Sequence, residues 1–142
     1  MPDHTIHHNI PGTHRPCSVP DYKRFYQDGG CDKTVRRGDV HFCRLSESCG
    51  CVQRGKRPVV VVQNNTGNDN STTVIVAPLT RAKIKRPYPM QFDICIPDGL
   101  ISRVLCEQLI TIDKCQLEDR IYRLQADELE KLDRCLKISL GL

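Results

Sequence analysis

The chain has 142 residues, enough for one domain with a real core and too few to expect two. It is 27% charged and 39% apolar with a formal charge of +4, the profile of an ordinary globular protein. No run approaches the ~20 apolar residues of a membrane span, and the first residues lack a basic start and apolar stretch, so the cytoplasm is the expected location.

Nine cysteines fall at irregular spacings, at 17, 31, 43, 49, 51, 95, 106, 115 and 135. An odd number without a secretion signal reads as thiols in a reducing compartment rather than a disulfide framework. Cys95, Cys106 and Cys135 lie within apolar runs and are expected to behave as small core residues.

Residues 1 to 35 carry four of the five histidines, four prolines and little apolar content. This composition predicts a flexible or loosely packed extension. Its histidines with Cys17 and Cys31 lack the close paired spacing of a zinc site. The aromatic stretch Asp21 to Tyr26 could instead dock on the domain or on a partner.

Folded structure is expected from Arg37-Gly38-Asp39. Val40, Phe42 and Arg44 alternate with His41 and Cys43, the period-two signature of a half-buried strand. Residues 45 to 56, LSESCGCVQRGK, form a loop too long for a plain connector, so it reads as a binding or gating segment. Cys43, Cys49 and Cys51 suggest a metal cluster, but no fourth ligand lies nearby, and thiols of core and loop are the better reading.

The central stretch, 55 to 80, is the most informative. Arg57-Pro58 leads into four valines, Val59 to Val62, and after a polar run from Gln63 to Asn70 a second β-branched run begins at Thr72 and reaches Thr80. Two buried strands joined by a loop follow from this pattern, with Asn65-Thr66-Gly67-Asn68 supplying residues that tolerate positive φ. If the strands are antiparallel neighbours, Arg57 and Thr80 lie at the same end of the sheet.

The positive charge gathers around these strands. Positions 44 to 86 hold eight Lys or Arg against Glu47 and Asp69, so the rest of the chain is slightly acidic. Such a field suits a polyanion, nucleic acid first, with a solvated loop surface as the alternative.

Arg81 to Arg86 alternates charge with small or apolar residues up to Pro87, and reads as a basic loop or edge strand. Phe92 to Ile96 is a strand closed by the turn Pro97-Asp98-Gly99, and Val104 to Leu109 reads as a central strand. Beyond Asp127 the period changes. Leu129, Leu132, Leu136 and Leu140 mark one face of a helix that should cover the sheet, capped by Asp127 and ended by Gly141.

Several segments together resemble one family. They are Arg37-Gly38-Asp39-Val40, Gly55-Lys56-Arg57-Pro58 with its valines, Gln63-Asn64, Gly67-Asn68, Val76-Ala77 with Thr80, Glu107-Gln108, Thr111-Ile112-Asp113-Lys114 and Leu136 to Leu140. In this order, from about 36 to 142, they are similar to the MazF/PemK toxin endoribonucleases, in particular the Gram-positive versions. The resemblance implies a mainly β fold, an SH3-like twisted barrel with a C-terminal helix, over 36–142. It also implies a homodimer, metal-independent cleavage of single-stranded RNA without cofactor, and a neutralising antitoxin that lies across the RNA groove.

On this resemblance Arg57 and Thr80 are the catalytic pair. The chemistry agrees: charge builds on the phosphoryl oxygens when the ribose 2′-OH attacks phosphorus, and a multi-donor guanidinium with a hydroxyl beside it can meet that charge. Lys56, Arg54, Arg81, Lys83 and Lys85, with Gln53 and Gln108, are the expected RNA contacts. The chain departs from the family at two positions: Val52 stands where a carboxylate is usual, and Ile110 where an Arg is. These departures leave open a second reading, a toxin-fold protein that binds RNA or antitoxin without cutting.

Overall fold

The computed structural model describes residues 34–45, 55–82 and 85–142. Seven strands form one antiparallel sheet: β1 Asp39–Leu45, β2 Gly55–Val61, β3 Thr73–Arg81, β4 Gln91–Cys95, β5 Ile101–Leu105, β6 Ile110–Asp113 and β7 Leu117–Arg123. A short helix, α1 Asn65–Asn70, joins β2 to β3, a single 3-10 turn (Lys114–Gln116) joins β6 to β7, and α2 Ala126–Leu140 closes the chain. The strand order is β4-β5-β3-β2-β1-β7, with β6 also on β3.

The valine run explains the sheet's two cores. Successive side chains of a strand point to opposite faces, so Val60 enters one core while Val59 and Val61 enter the other. The first core lies under α2 and joins Val40, Ala77, Leu79, Phe92, Ile94 and Val104 to Leu132 and Cys135 of the helix. The second joins Cys43, Leu45, Val74, Val76, Ile112 and Leu117, as the sheet curls into a half-barrel. Both faces of β1 are therefore covered: His41 and Cys43, expected on the outer side of a half-buried strand, are 5% and 0% exposed. Val35 is also buried in the second core, so the packed structure reaches into the segment assigned to the extension. The remainder of that segment lies outside the described residues.

Three further expectations are corrected. The polar run before β3 is a helix rather than a loop with positive φ. Asn64 caps it, its Oδ1 accepting from Gly67 N at 2.8 Å, and no described residue other than glycine has positive φ. Val104 to Leu109 is not one strand either. Leu79 faces Val104 and Val76 faces Ile110, so three steps along β3 are matched by six along its neighbour. The surplus forms the 106–109 turn that splits β5 from β6. Finally, α2 starts one residue before Asp127, and Glu128 supplies the cap by accepting from Gln125 N at 2.9 Å. Cys135, not the 57% exposed Leu140, completes the buried face.

The basic stretch after Thr80 is anchored from below. Arg103, opposite Asp93 on the β4–β5 hairpin, makes a two-pronged pair with it (Nε–Oδ1 2.8 Å, Nη2–Oδ2 3.1 Å) and donates to the Lys85 carbonyl at 2.7 Å. Its pKa is raised further by the hydrogen bond to Asp93, against the opposing effect of burial.

Candidate active site

The β2–β3 ladder runs Val61–Val76, Val60–Ala77, Val59–Pro78 and stops. Beyond that point Pro58 follows on β2 and Pro78 has already entered β3. Neither has an N–H to donate, so the ladder cannot be continued in the ordinary way and the strands part. Past Pro78, β3 exchanges β2 for β5, pairing Leu79 with Val104 and Thr80 with Arg103. Continuing the β2–β3 register two residues past Val59 brings Arg57 level with Thr80.

A pocket of about 280 Å³ opens where the strands separate. Lys56, Arg57 and Pro58 come from β2, Leu79, Thr80 and Arg81 from β3, and Phe42 from β1. Its far wall is the β4–β5 hairpin, through Ile96, Asp98, Leu100 and Ser102. The volume sits at the lower end of ligand pockets and suits a nucleotide-sized fragment rather than a large ligand. Arg57 and Thr80 are both half-buried, apolar Phe42, Leu79, Ile96 and Leu100 share the lining, and exposed Lys56 and Arg81 add two further cations. Such a setting strengthens any interaction with an anion.

Of the seven expected RNA contacts, Lys56 and Arg81 line this pocket. Lys56 lies 5.5 Å from the Phe42 ring centroid and its Nζ is 2.9 Å from Glu118 Oε2 on β7. Both groups of that pair are about half exposed, so it is a weak surface contact that an incoming phosphate can replace. Lys85 is exposed outside the pocket, and Gln108 sits in the β5–β6 turn, its N–H bonded to the Leu105 carbonyl at 3.1 Å. Gln53, Arg54 and Lys83 lie outside the described residues, as does Val52. Ile110 packs half-buried against the second core, so an apolar side chain is well placed at that position.

The sequence reading missed three wall residues, Phe42, Asp98 and Ser102, and the Asp93–Arg103 pair beneath them. Asp98 was hidden because Pro-Asp-Gly reads as turn chemistry. Arg103 did carry a signal: a lone cation among the apolar residues of Ile101 to Leu105 needs a carboxylate partner, and the hairpin turn at 97–99 places Asp93 directly opposite.

Cys43, Cys106 and Cys135 are buried free thiols, as their apolar settings require, but Cys95 is exposed together with Cys115. Cys95 follows the outward parity of β4, in which Phe92 and Ile94 point inward. Burial, followed by neighbouring Cys135 and Glu107, pushes the Cys106 thiol up to about 12. Among the described residues no group of three or more His, Cys, Asp or Glu is placed to hold a metal ion, and no helix is long and apolar enough to cross a membrane.

His41 is the one histidine among the described residues, and it does not line the pocket. Its Nδ1 donates to the Glu118 carbonyl at 2.7 Å, and its Nε2 is buried without a partner.

Comparison with known proteins agrees with this architecture. The chain is 42% identical over 111 residues to Endoribonuclease EndoA of Bacillus subtilis (strain 168), covering 76% of this chain and 96% of that protein. An endoribonuclease solved in complex with its cognate antitoxin, from Mycobacterial species, superposes with a TM-score of 0.64 at 26% identity, over 76% of this chain and 96% of that one. MazF from Deinococcus radiodurans gives 0.66 at 20% identity, over 78% of this chain and all of that one, a likeness that bears on fold. The model of PemK-like, MazF-like toxins of type II toxin–antitoxin systems matches residues 36–140, and the chain belongs to that family.

Proposed function

We propose that this toxin cuts single-stranded RNA at a short sequence, without a metal ion, by attack of a ribose 2′-OH on the adjacent phosphorus. The products are a 2′,3′-cyclic phosphate and a 5′-OH end. The observation that carries this reading is the convergence of Arg57 and Thr80 on one pocket where β2 and β3 part. Arg57 meets the charge that develops on the phosphoryl oxygens, and preorganised donors of that kind are the largest usual source of rate. Thr80 offers a hydroxyl that orients the phosphate or the attacking oxygen. Lys56 and Arg81, which line the pocket, and Arg54, Lys83 and Lys85 track the backbone, and Gln53 and Gln108 make polar contacts with the RNA. Phosphate contacts of this number make binding strongly salt-dependent.

The naming of the 42% identical relative as an endoribonuclease supports the activity, and the antitoxin complex of the Mycobacterial relative supports a cognate antitoxin as partner. A homodimer acting in the cytoplasm, with the residues before Val35 as an appended segment, completes the reading. The test is purified protein with a long RNA in EDTA. New ends with cyclic phosphate, and a loss of about 10²–10³-fold in kcat for Arg57→Ala, are expected. No cleavage by wild type would overturn it. Ile110, half-buried against the second core at the position where the family resemblance implies an Arg, favours a second reading, a toxin fold that binds RNA or antitoxin without cutting. RNA bound in the same assay with no new ends would establish it.

A further inference from the structure

We propose that Asp98 is the general base of the cleavage step, an assignment that rests on the Arg57–Thr80 site. A 2′-OH attacks phosphorus only as its proton leaves, and some group must take that proton. Arg57, Arg81 and Lys56 cannot: a guanidinium does not deprotonate in proteins, and an ammonium has no lone pair. The hydroxyls of Thr80 and Ser102 are poor acceptors of a full proton. Among the described residues lining the pocket, Asp98 is the one carboxylate. The run Gly50 to Gly55 contains none in its sequence, Glu47 earlier in that loop lies outside the described residues, and buried His41 does not line the pocket.

Asp98 is held for this task. Its Oδ1 accepts from Leu100 N at 2.9 Å, an Asx turn that fixes the side chain on the hairpin rim. Among the described residues nothing else bonds this carboxylate, which leaves Oδ2 able to accept. The other charged residues that line the pocket are cations: Lys56 and Arg57 from β2 and Arg81 from β3. A carboxylate at the mouth of an RNA site repels the substrate, and this local cationic excess offsets the repulsion.

In the step, the 2′-O–H proton passes to Asp98 Oδ2 while the 2′-oxygen bonds to phosphorus. The P–O5′ bond breaks, the 5′-oxygen takes a proton from solvent, and Asp98 returns its own to solvent. No water is consumed, and cyclic phosphate and 5′-OH result.

Asp98→Asn separates base from turn, because the Asn Oδ1 still accepts from Leu100 N but the amide cannot take a proton. The wild type, Arg57→Ala, Asp98→Asn and Asp98→Glu are compared with one RNA in EDTA, with RNA affinity measured alongside. Asp98→Asn should lower kcat by about 10²–10⁴-fold, keep RNA affinity at or above wild type, and lose the acid limb of the pH profile. Asp98→Glu should recover part of the rate and the limb. Wild-type kcat or a retained acid limb in Asp98→Asn overturns the assignment, as does a loss of activity matched by a loss of RNA affinity. If wild type cuts and Arg57→Ala does not, these outcomes overturn the base alone. A wild type that leaves no new ends overturns the cleavage reading itself.

Discussion

Asp93→Ala tests how the wall behind the pocket is held. The side chain removed makes two charge-assisted contacts to Arg103, at 2.8 and 3.1 Å, and the guanidinium it leaves behind is only 9% exposed. Breaking a fully buried ion pair costs roughly 3–5 kcal/mol, because one charge stays desolvated without its partner. The Asp93 carboxylate is 31% exposed, so water screens part of the interaction and can enter the vacated space. The Lys85 carbonyl also keeps its 2.7 Å contact to Arg103. A loss of about 2–3 kcal/mol follows. For a domain of this size, that lowers Tm by roughly 7–13 °C. Thermal unfolding followed by circular dichroism at fixed ionic strength measures it. The companion Asp93→Leu with Arg103→Leu removes both charges and should recover most of the loss. A fall in Tm below about 4 °C, or a double variant no better than the single one, would refute the reasoning. The pair also reaches function. Without Asp93 to orient it, Arg103 holds the Lys85 carbonyl less rigidly, so KM for RNA should rise more than kcat falls.

Thiol accessibility should follow burial: brief alkylation of the native protein, mapped by mass spectrometry, should label Cys95 and Cys115 and spare Cys43, Cys106 and Cys135 until unfolding. Labelling of Cys106 at the rate of Cys95 would contradict a thiol pushed up to about 12 by burial. Tyr122 donates to Glu128 Oε1 at 2.6 Å, and this hydrogen bond, then burial and the Glu128 charge, raises its pKa to about 12. The folded value lies above the unfolded value of about 10, so the stabilisation is complete below pH 10 and is lost as pH rises toward 12. Tyr122→Phe should therefore cost about 1 kcal/mol in urea unfolding at pH 8 and much less at pH 11.5. An equal gap at both pH values would count against the bond.

What could be read from the sequence was set by how local the determining physics is. The valine run and the β-branched run after Thr72 needed only period and composition, and both strands lie where expected. The leucine spacing from 129 likewise fixed α2 as the cover of one face. Strand β7, LEDRIYR, escaped because its polar residues give no apolar alternation. It is held by pairing with β1 and by Arg123 Nε on the buried Asp39 carboxylate at 2.8 Å, both long-range. The same applies to α1, whose asparagines suit a turn as well as a cap. The bonds that decide for a helix, Asn68 Nδ2 to the Gln63 carbonyl at 2.9 Å and Asn70 Nδ2 to the Thr66 carbonyl at 2.8 Å, exist only once the helix forms. At the site, Arg57 and Thr80 were legible through strand register, whereas Asp98 and Ser102 reach the pocket through a hairpin that no local pattern positions.

The segments that mark the family divide by physical role, and the division says where activity resides. Gln63, Asn64, Gly67 and Asn68 build α1, and buried Lys114 donates from Nζ to the Asn68 carbonyl, tying that helix to the 3-10 turn. Gly38 has φ of +91°, a conformation L side chains rarely adopt, and a Cβ there would stand 2.8 Å from Leu129 Cδ2 on α2 and push that side chain aside. These motif residues brace the curled sheet, and none of them lines the pocket. Their retention accounts for the shared fold and would persist in a protein that cuts nothing. On the proposed mechanism, cleavage rests on a much smaller set: the two strand residues that line the pocket where β2 and β3 part, and the proton acceptor on the opposite rim. On that mechanism, variants confined to Arg57, Thr80 and Asp98 should abolish turnover while leaving stability near that of wild type, whereas removing buried Asn68 from the α1 brace should cost stability first.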